Sequence, residues 1–283
     1  MAIKIITDSA SDITVSNRED LIILPITITF GETEYQDGID LSHKEFYEKL
    51  TGSDELPTTS QISPYTFEEV IRKVLADGDT PIIITLSSKL SGTYQNACFA
   101  ASDFGDKVSV IDSENVAVGQ HALVEYALRL KEEGKDAKAI TMELNTSKKD
   151  LHTIALLDTL EYLQKGGRIS KTAAFAGSVL SIKPVVGVID GEVSVLGKAR
   201  GAKHGNNLLI EQIRHFGGVD FGRPYVLGYT GISDALIQQY IESSKPIWED
   251  HADHLPVVTI GGTIGTHVGP GAVAVAFFSQ KTN

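Results

Sequence analysis

The sequence predicts an α/β protein of two domains: a mostly parallel sheet with helices on both faces, then an α+β domain built on a mixed sheet. Three observations predict it. Residues 1–150 alternate short apolar runs with segments of helical period, the pattern of βαβ units. Residues 151–283 interrupt that alternation with two β-rich runs joined by Asp190-Gly191, a pair suited to a type I′ hairpin turn. The length of 283 residues accommodates two domains of about 150 residues, each able to bury a core. The polar cluster at 148–151 marks the expected boundary.

The elements follow in order. Residues 3–7 are a short apolar run, and Asp8-Ser9-Ala10-Ser11-Asp12 is turn chemistry. Ile26-Thr27-Ile28-Thr29-Phe30 alternates and Gly31 follows, so a small hairpin excursion is expected near 26–40. Ser42 and Glu45 form a capping box that opens a short helix. Pro64, just after Ser63, suits a first helical position. Phe67, Val70, Ile71, Val74 and Leu75 then recur at helical spacing until Gly78. Residues 81–86 read as a buried parallel strand, 91–102 as helix, 107–111 as strand, 116–133 as a long helix ended by Gly134, and 137–146 as another. In the second half, 153–157 is a strand, and 158–164 and 171–181 are short helices. Residues 185–189 and 192–196 form the hairpin. Helices near 206–214 and 234–243 and strands near 225–229, 257–260 and 272–278 complete the chain. There is no internal repeat and no low-complexity tract.

Composition narrows the function. The hydrophobic fraction of 42% is ordinary for a soluble globular protein. No apolar run approaches the ~20 residues needed to span a bilayer, and the N-terminus carries no apolar leader; a cytoplasmic protein is expected. The single Cys98 sits in a helical pattern and reads as a small buried apolar residue. A net charge of -12 argues against nonspecific nucleic-acid binding. One local basic patch is present, Lys165, Arg168 and Lys171 with Lys198, Arg200 and Lys203, unless these are two separate solvated stretches.

The chemistry lies in short polar motifs at strand ends. Ser87-Ser88-Lys89-Leu90-Ser91-Gly92-Thr93-Tyr94 follows the strand at 81–86. Ligands in an open parallel sheet bind beyond such ends. A helix starting near Ser91 points unpartnered amides and a partial positive charge at that region, with the Ser91 hydroxyl and the bare backbone of Gly92 beside them. This suits a carboxylate or phosphate; a plain helix cap is the simpler alternative. Thr58-Thr59-Ser60 offers more hydroxyls than one cap needs.

His267 lies in Gly265-Thr266-His267-Val268-Gly269-Pro270-Gly271, whose glycines suggest a loop tip or strand start. It would donate to an anion or be a satisfied structural histidine. The pattern is no dinucleotide fingerprint, because it leads into an apolar strand. Asp8 and Asp112 both end strands and precede serine. They suit either a divalent cation for phosphoryl chemistry or turn and cap work. There is no nucleophile elbow, zinc-protease motif, paired C-x-x-C or Walker A loop.

Taken in order, these motifs resemble the DegV family of bacterial proteins. The resemblance covers essentially the whole chain. It rests on Asp8-Ser9 with Ser11-Asp12, Pro57-Thr58-Thr59-Ser60-Gln61, Leu90 to Tyr94, Asp158-Thr159-Leu160-Glu161-Tyr162-Leu163 running into Gly166-Gly167-Arg168-Ile169-Ser170, Ile182-Lys183-Pro184, Asp190-Gly191-Glu192, and Ile264 to Gly271. It implies a two-domain α/β fold with a long-chain fatty acid between the domains, its acyl chain in an apolar tunnel and its carboxylate at the polar motifs. Thr59, Ser91 and His267 match the carboxylate-contacting positions, and the adjacent Gly92 offers its N–H. Arg168 and Arg200 match basic positions near the tunnel mouth, for the head group or for docking a kinase.

The resemblance implies no catalytic residue, metal or cofactor in this chain. Its partner would be an ATP-dependent fatty acid kinase that converts the bound acid to an acyl phosphate for phospholipid synthesis. Nucleic acid is not an expected partner, and no membrane span is expected, although transient membrane contact is compatible with this role. Phe175, Val179 and Leu180 are candidate tunnel residues. Energetically, each buried CH₂ contributes ~0.8 kcal/mol, so the tail supplies most of the affinity. The buried carboxylate then needs donors. The rival expectation is a stand-alone metal-dependent phosphotransfer or phosphatase enzyme using Asp8 and Asp112.

Overall fold

The computed structural model describes residues 2–14, 18–170, 182–252 and 254–280. The helix expected at 171–181, with Lys171, Phe175, Val179 and Leu180, lies outside the described residues.

The strands are β1 (Ile3–Asp8), β2 (Leu21–Leu24), β3 (Thr27–Phe30), β4 (Thr33–Gln36), β5 (Thr58–Ser60), β6 (Thr80–Thr85), β7 (Ser109–Asp112), β8 (Leu151–Leu156), β9 (Ile182–Ile189), β10 (Glu192–Arg200), β11 (Val226–Tyr229), β12 (Val257–Thr259) and β13 (Val273–Phe278). The helices are α1 (His43–Gly52), α2 (Pro64–Ala76), α3 (Thr93–Ala101), α4 (Val118–Glu132), α5 (Ala137–Ser147), α6 (Glu161–Lys165), α7 (Gly201–His215), α8 (Ala235–Trp248) and α9 (Gly262–Val268). They build a four-stranded sheet ordered β2-β1-β6-β7, a three-stranded sheet β4-β3-β5 and a six-stranded sheet β10-β9-β8-β13-β11-β12.

The first sheet is wholly parallel. Ile5, Ile6, Ile82, Ile83 and Ile84 are buried in its two central strands, as expected for strands covered on both faces. Helices α2 and α3 pack on β6 and on each other, while α4 and α5 cover β1, β6 and β7. The six-stranded sheet is mixed: β11 pairs parallel with β12, and the other pairs are antiparallel. The Asp190-Gly191 turn has positive φ at both residues, 49° and 82°, as a type I′ hairpin requires.

Helix α4 joins the two large sheets. It packs on β1 and β6 on one side and on β13, β11 and β8 on the other. Its buried residues therefore run almost all round, Val118, Ala122, Leu123, Val124, Ala127, Leu128 and Leu130 among them. One apolar cluster consequently includes Ile82 to Ile84 together with Ala274, Ala276 and Phe278 of β13.

Four local expectations change. Thr58 to Ser60, read as turn hydroxyls, form β5 and pair with β3, with Thr59 opposite Ile28. The pairing satisfies backbone groups that a loop would leave to water. Helix α3 starts at Thr93 with Gly92 as its N-cap, two residues later than expected. His267 lies on a helix, α9, rather than at a loop tip or strand start. Glycine explains the last change: a Cβ on Gly262 would stand 2.8 Å from the Phe46 ring, and one on Gly265 2.5 Å from it. Those glycines, which weaken a helix locally, let α9 lie flat on α1. Cys98 is partly rather than fully buried.

Candidate functional site

The motifs meet where the sheets face one another. The turn after β6 runs from Ser87 to Gly92, and the Ser87 hydroxyl donates to the Gly191 carbonyl at 2.7 Å, tying that turn to the β9–β10 hairpin. A Cβ at Gly191 would sit 2.6 Å from Ser87 Oγ, so this position needs glycine for space as well as for its φ. Beside this contact is a cavity of about 280 Å³. Its polar lining includes Thr59, Gln61, Ser91, Gly92, Arg168 and His267. Its apolar lining includes Ile26, Leu86, Val116, Leu163, Ile264 and Val268. A wider open groove of about 1160 Å³, lined by Asp12, His43 and His121 among others, contains none of the predicted site residues.

Thr59 and His267 are in direct contact, with Oγ1 3.0 Å from Nε2. His267 Nδ1 is buried with no hydrogen-bond partner. A proton there would be a buried N–H with no acceptor, so the physical choice is the tautomer protonated on Nε2. His267 then donates to Thr59 Oγ1, and the Thr59 hydroxyl donates onward into the cavity. Burial, and then the nearby Arg168 charge, push the His267 pKa down to about 4. The imidazole is therefore neutral near pH 7 and acts as a hydrogen-bond partner rather than a cation.

Arg168 bridges two elements. Its Nε donates to the Leu90 carbonyl at 3.2 Å and its Nη1 to the Gly166 carbonyl at 2.6 Å. Among the described residues no carboxylate pairs with it. A guanidinium that faces a cavity without an acidic partner favours an anion there. Helix α3 adds to this: its N-cap Gly92 has no side chain, the Thr93 amide donates to Ser91 Oγ at 3.3 Å, Ser91 Oγ lies 3.0 Å from Thr93 Oγ1, and the partial positive charge of the helix start stands beside the cavity. Gly92 leaves room for Gln61, whose Oε1 would be 1.9 Å from any Cβ there. Gly166 likewise leaves room for the imidazole, with Nδ1 2.4 Å from a Cβ position.

Thr59, Arg168 and His267 also line an outer hollow of about 590 Å³, with Asp54, Leu56 and Lys165. These three polar side chains thus separate an apolar interior from an open exterior. Arg200 is not part of either lining. It is exposed at the end of β10 and caps the start of α7, its carbonyl bonded to His204 Nδ1 at 3.0 Å. Asp8 and Asp112 do turn and cap work. Asp8 accepts from Ala10 N at 3.1 Å and Leu86 N at 2.9 Å, and burial raises its pKa to about 6. Asp112 Oδ1 accepts from Ser88 N and Glu114 N at 3.1 and 2.9 Å. Both carboxylates hold the strand ends that shape the site.

Sequence reasoning missed Asp37, which organises α9, and Tyr162, which packs against Gly269. A Cβ at Gly269 would meet the Tyr162 ring at 2.3 Å. Tyr162 belonged to a quoted motif; Asp37 carried only a turn signal, Asp37-Gly38.

The DegV family sequence pattern matches residues 2–280. The chain belongs to the DegV family. A DegV domain-containing protein of Caldanaerobacter subterraneus is 35% identical over 99% of each chain. Among solved structures, a DegV family protein from Thermus thermophilus described for its fatty acid binding superposes with a TM-score of 0.88 at 30% identity, covering 99% of this chain and all of that one. A fatty-acid-binding DegV family protein from Streptococcus agalactiae gives a TM-score of 0.85 at 27% identity, with 99% and 100% covered. The DegV fold, a parallel sheet and a mixed sheet on either side of the cavity, is thus that of this chain. No helix among the described residues is long and apolar enough to cross a membrane.

The low His267 pKa has a measurable consequence. An imidazole that titrates near 6.5 when unfolded and near 4 when folded costs stability as pH falls through that window. Between pH 7 and pH 5 this DegV protein is expected to lose on the order of 2 kcal/mol more than its His267→Gln variant. Urea denaturation of both proteins at the two pH values tests this. Equal losses would mean that His267 is not held neutral by burial.

Proposed function

We propose that this DegV protein binds a long-chain fatty acid, with the acyl chain in the apolar cavity and the carboxylate at Thr59, Ser91, Gly92 and His267. The single observation that carries this reading is Arg168, a cation without an acidic partner among the described residues, beside hydroxyls and the start of α3 in a cavity that is also walled by Ile26, Leu86, Val116, Ile264 and Val268. The cavity draws its walls from both halves of the chain, Ile26, Leu86 and Ser91 from one and Leu163, Arg168 and His267 from the other. On this reading the ligand lies between a 1–150 domain and a 151–283 domain.

The chain acts as a carrier and presents the acid to a partner that supplies ATP chemistry. Thr59 and His267, with Arg168, also line the outer hollow, so a carboxylate held by them faces outward and is open to a partner's phosphoryl donor. Arg200, exposed and away from the cavity, serves the partner kinase rather than the ligand. Its replacement by alanine is expected to reduce kinase-coupled acyl phosphate formation more than lipid content; equal effects on both would remove the docking role. The first test is native mass spectrometry of the purified protein, followed by organic extraction. A near-stoichiometric fatty acid supports the reading. A bound metal or phosphorylated small molecule without lipid would overturn it in favour of phosphoryl chemistry in this chain.

A further inference from the structure

We propose that Asp37 is the positioning residue of this cavity: its carboxylate clamps the start of α9 and so sets His267, at the far end of that helix, against Thr59. The consequence for ligand binding rests on the fatty-acid reading above; the clamp is a property of the unliganded chain.

Helix α9 does not hold its place by itself. It has seven residues, two of them glycine and two threonine, well below the ~12–15 residues at which even good helix formers persist alone. Its start is held by buried carboxylates. Asp37 Oδ1 accepts from Gly262 N at 3.1 Å, and Oδ2 accepts from Thr263 N at 3.1 Å and from Thr263 Oγ1 at 2.5 Å. The preceding amide, Gly261 N, donates to Asp12 Oδ1 at 2.8 Å. Asp37 is 3% exposed, and no lysine or arginine among the described residues pairs with it. The positive end of α9 offsets its charge instead.

Asp37 is itself fixed to the small sheet. Its amide donates to the Ile26 carbonyl at 3.0 Å, and it bridges to Leu41. Thr59 rides on that same sheet, opposite Ile28 of β3. Ile28 and Phe46 in turn pack against Gly262, and the Tyr47 hydroxyl donates to the Ile260 carbonyl at 2.9 Å. One small sheet therefore carries Thr59 directly and, through Asp37, controls the helix that carries its partner. His267 lies five residues beyond Gly262, about 7.5 Å along the helix axis. Asp37 does not touch the imidazole and is not itself in the cavity lining, but it bonds two lining residues, Thr263 at the start of α9 and, through its own amide, Ile26.

The test is an NMR titration of the His267 imidazole in delipidated full-length protein, paired with oleic acid binding. In the wild type, where burial lowers its pKa to about 4, His267 is expected to titrate well below the ordinary imidazole value. Asp37→Ala is expected to move it upward by about one unit toward the ordinary imidazole value near 6.5. The same variant should weaken oleic acid binding about tenfold, the scale of one lost hydrogen bond to a charged group. Asp37→Asn keeps one carbonyl acceptor and should restore most of both effects. Thr263→Val removes the hydroxyl donor to Asp37 and should shift the titration in the same direction by less; because Thr263 also lines the cavity, its His267 titration alone carries the test if Asp37→Ala does not fold. Ser244→Ala is the control, since it breaks a buried 2.9 Å bond from Trp248 Nε1 far from the cavity. It should lower stability and leave His267 unmoved.

An unchanged His267 titration in Asp37→Ala and Thr263→Val, with stability falling as in Ser244→Ala, would overturn the clamp. A shifted titration with no oleic acid binding in the wild type would leave the clamp standing and sink the fatty-acid reading.

Discussion

Replacing both Ser91 and His267 with alanine is expected to leave the protein purifying nearly free of fatty acid. A carboxylate taken into the cavity loses its water and must recover donors from the protein. Ser91 supplies a hydroxyl at the start of α3, where its oxygen also accepts from the Thr93 amide. His267 orients the Thr59 hydroxyl through its 3.0 Å contact. Each hydrogen bond to a charged group is worth about 1.5–3 kcal/mol, a loss of roughly 10- to 150-fold in affinity per residue. The two act on one carboxylate, so the double variant should fall short of the product of the singles. Equilibrium binding of a fluorescent fatty acid, with extraction of co-purified lipid, measures both effects. Unchanged binding in the single variants would remove these residues from the site, whatever their distance from each other.

Affinity should also fall steeply as the acyl chain is shortened. The apolar walls of the cavity include Ile26, Leu86, Val116, Ile264 and Val268. At ~0.8 kcal/mol per buried CH₂, going from hexadecanoic to dodecanoic acid removes about 3 kcal/mol, before the ordering entropy that the shorter chain no longer loses. A loss of about 100-fold is therefore expected. Methyl hexadecanoate separates tail from head: it keeps the chain and removes the charge that faces Arg168. Competition titrations across the saturated series test both terms. An affinity that does not change with length would place the acyl chain outside this cavity.

Much of this architecture was legible in the sequence because its causes are local. The strand at 272–278 is an uninterrupted apolar run and that at 81–86 is broken only by Thr85, and apolar runs bounded by turns bury themselves on both faces. Asp190-Gly191 demanded its turn because few other residue pairs accept two positive φ values. The Ser42–Glu45 capping box is present as expected. The cavity brings together Thr59, Ser91, Gly92, Arg168 and His267, five of the six positions expected from the family resemblance. Arg200 is the exception and lies outside the lining. It ends a long strand in a hairpin, and strand length, which sets where its side chain lands, depends on pairing with β9 rather than on the residues near Arg200.

What the sequence alone determined is the order of the elements and the set of polar groups available at the strand ends. The tertiary structure decided how those groups are used. Thr59 lies in a strand because β3 pairs with it across a gap of about thirty residues, a contact that no local propensity encodes. His267 lies on a helix whose own sequence disfavours helix, because the buried carboxylate of Asp37 and the ring of Phe46 reward that conformation from more than two hundred residues away. Asp8 and Asp112 became structural for the same reason: folding delivered backbone amides to their oxygens before any ligand. Propensity acts over one turn of chain, whereas desolvation and hydrogen bonding act on whatever folding brings within 3 Å, and the latter assigned each polar side chain its role.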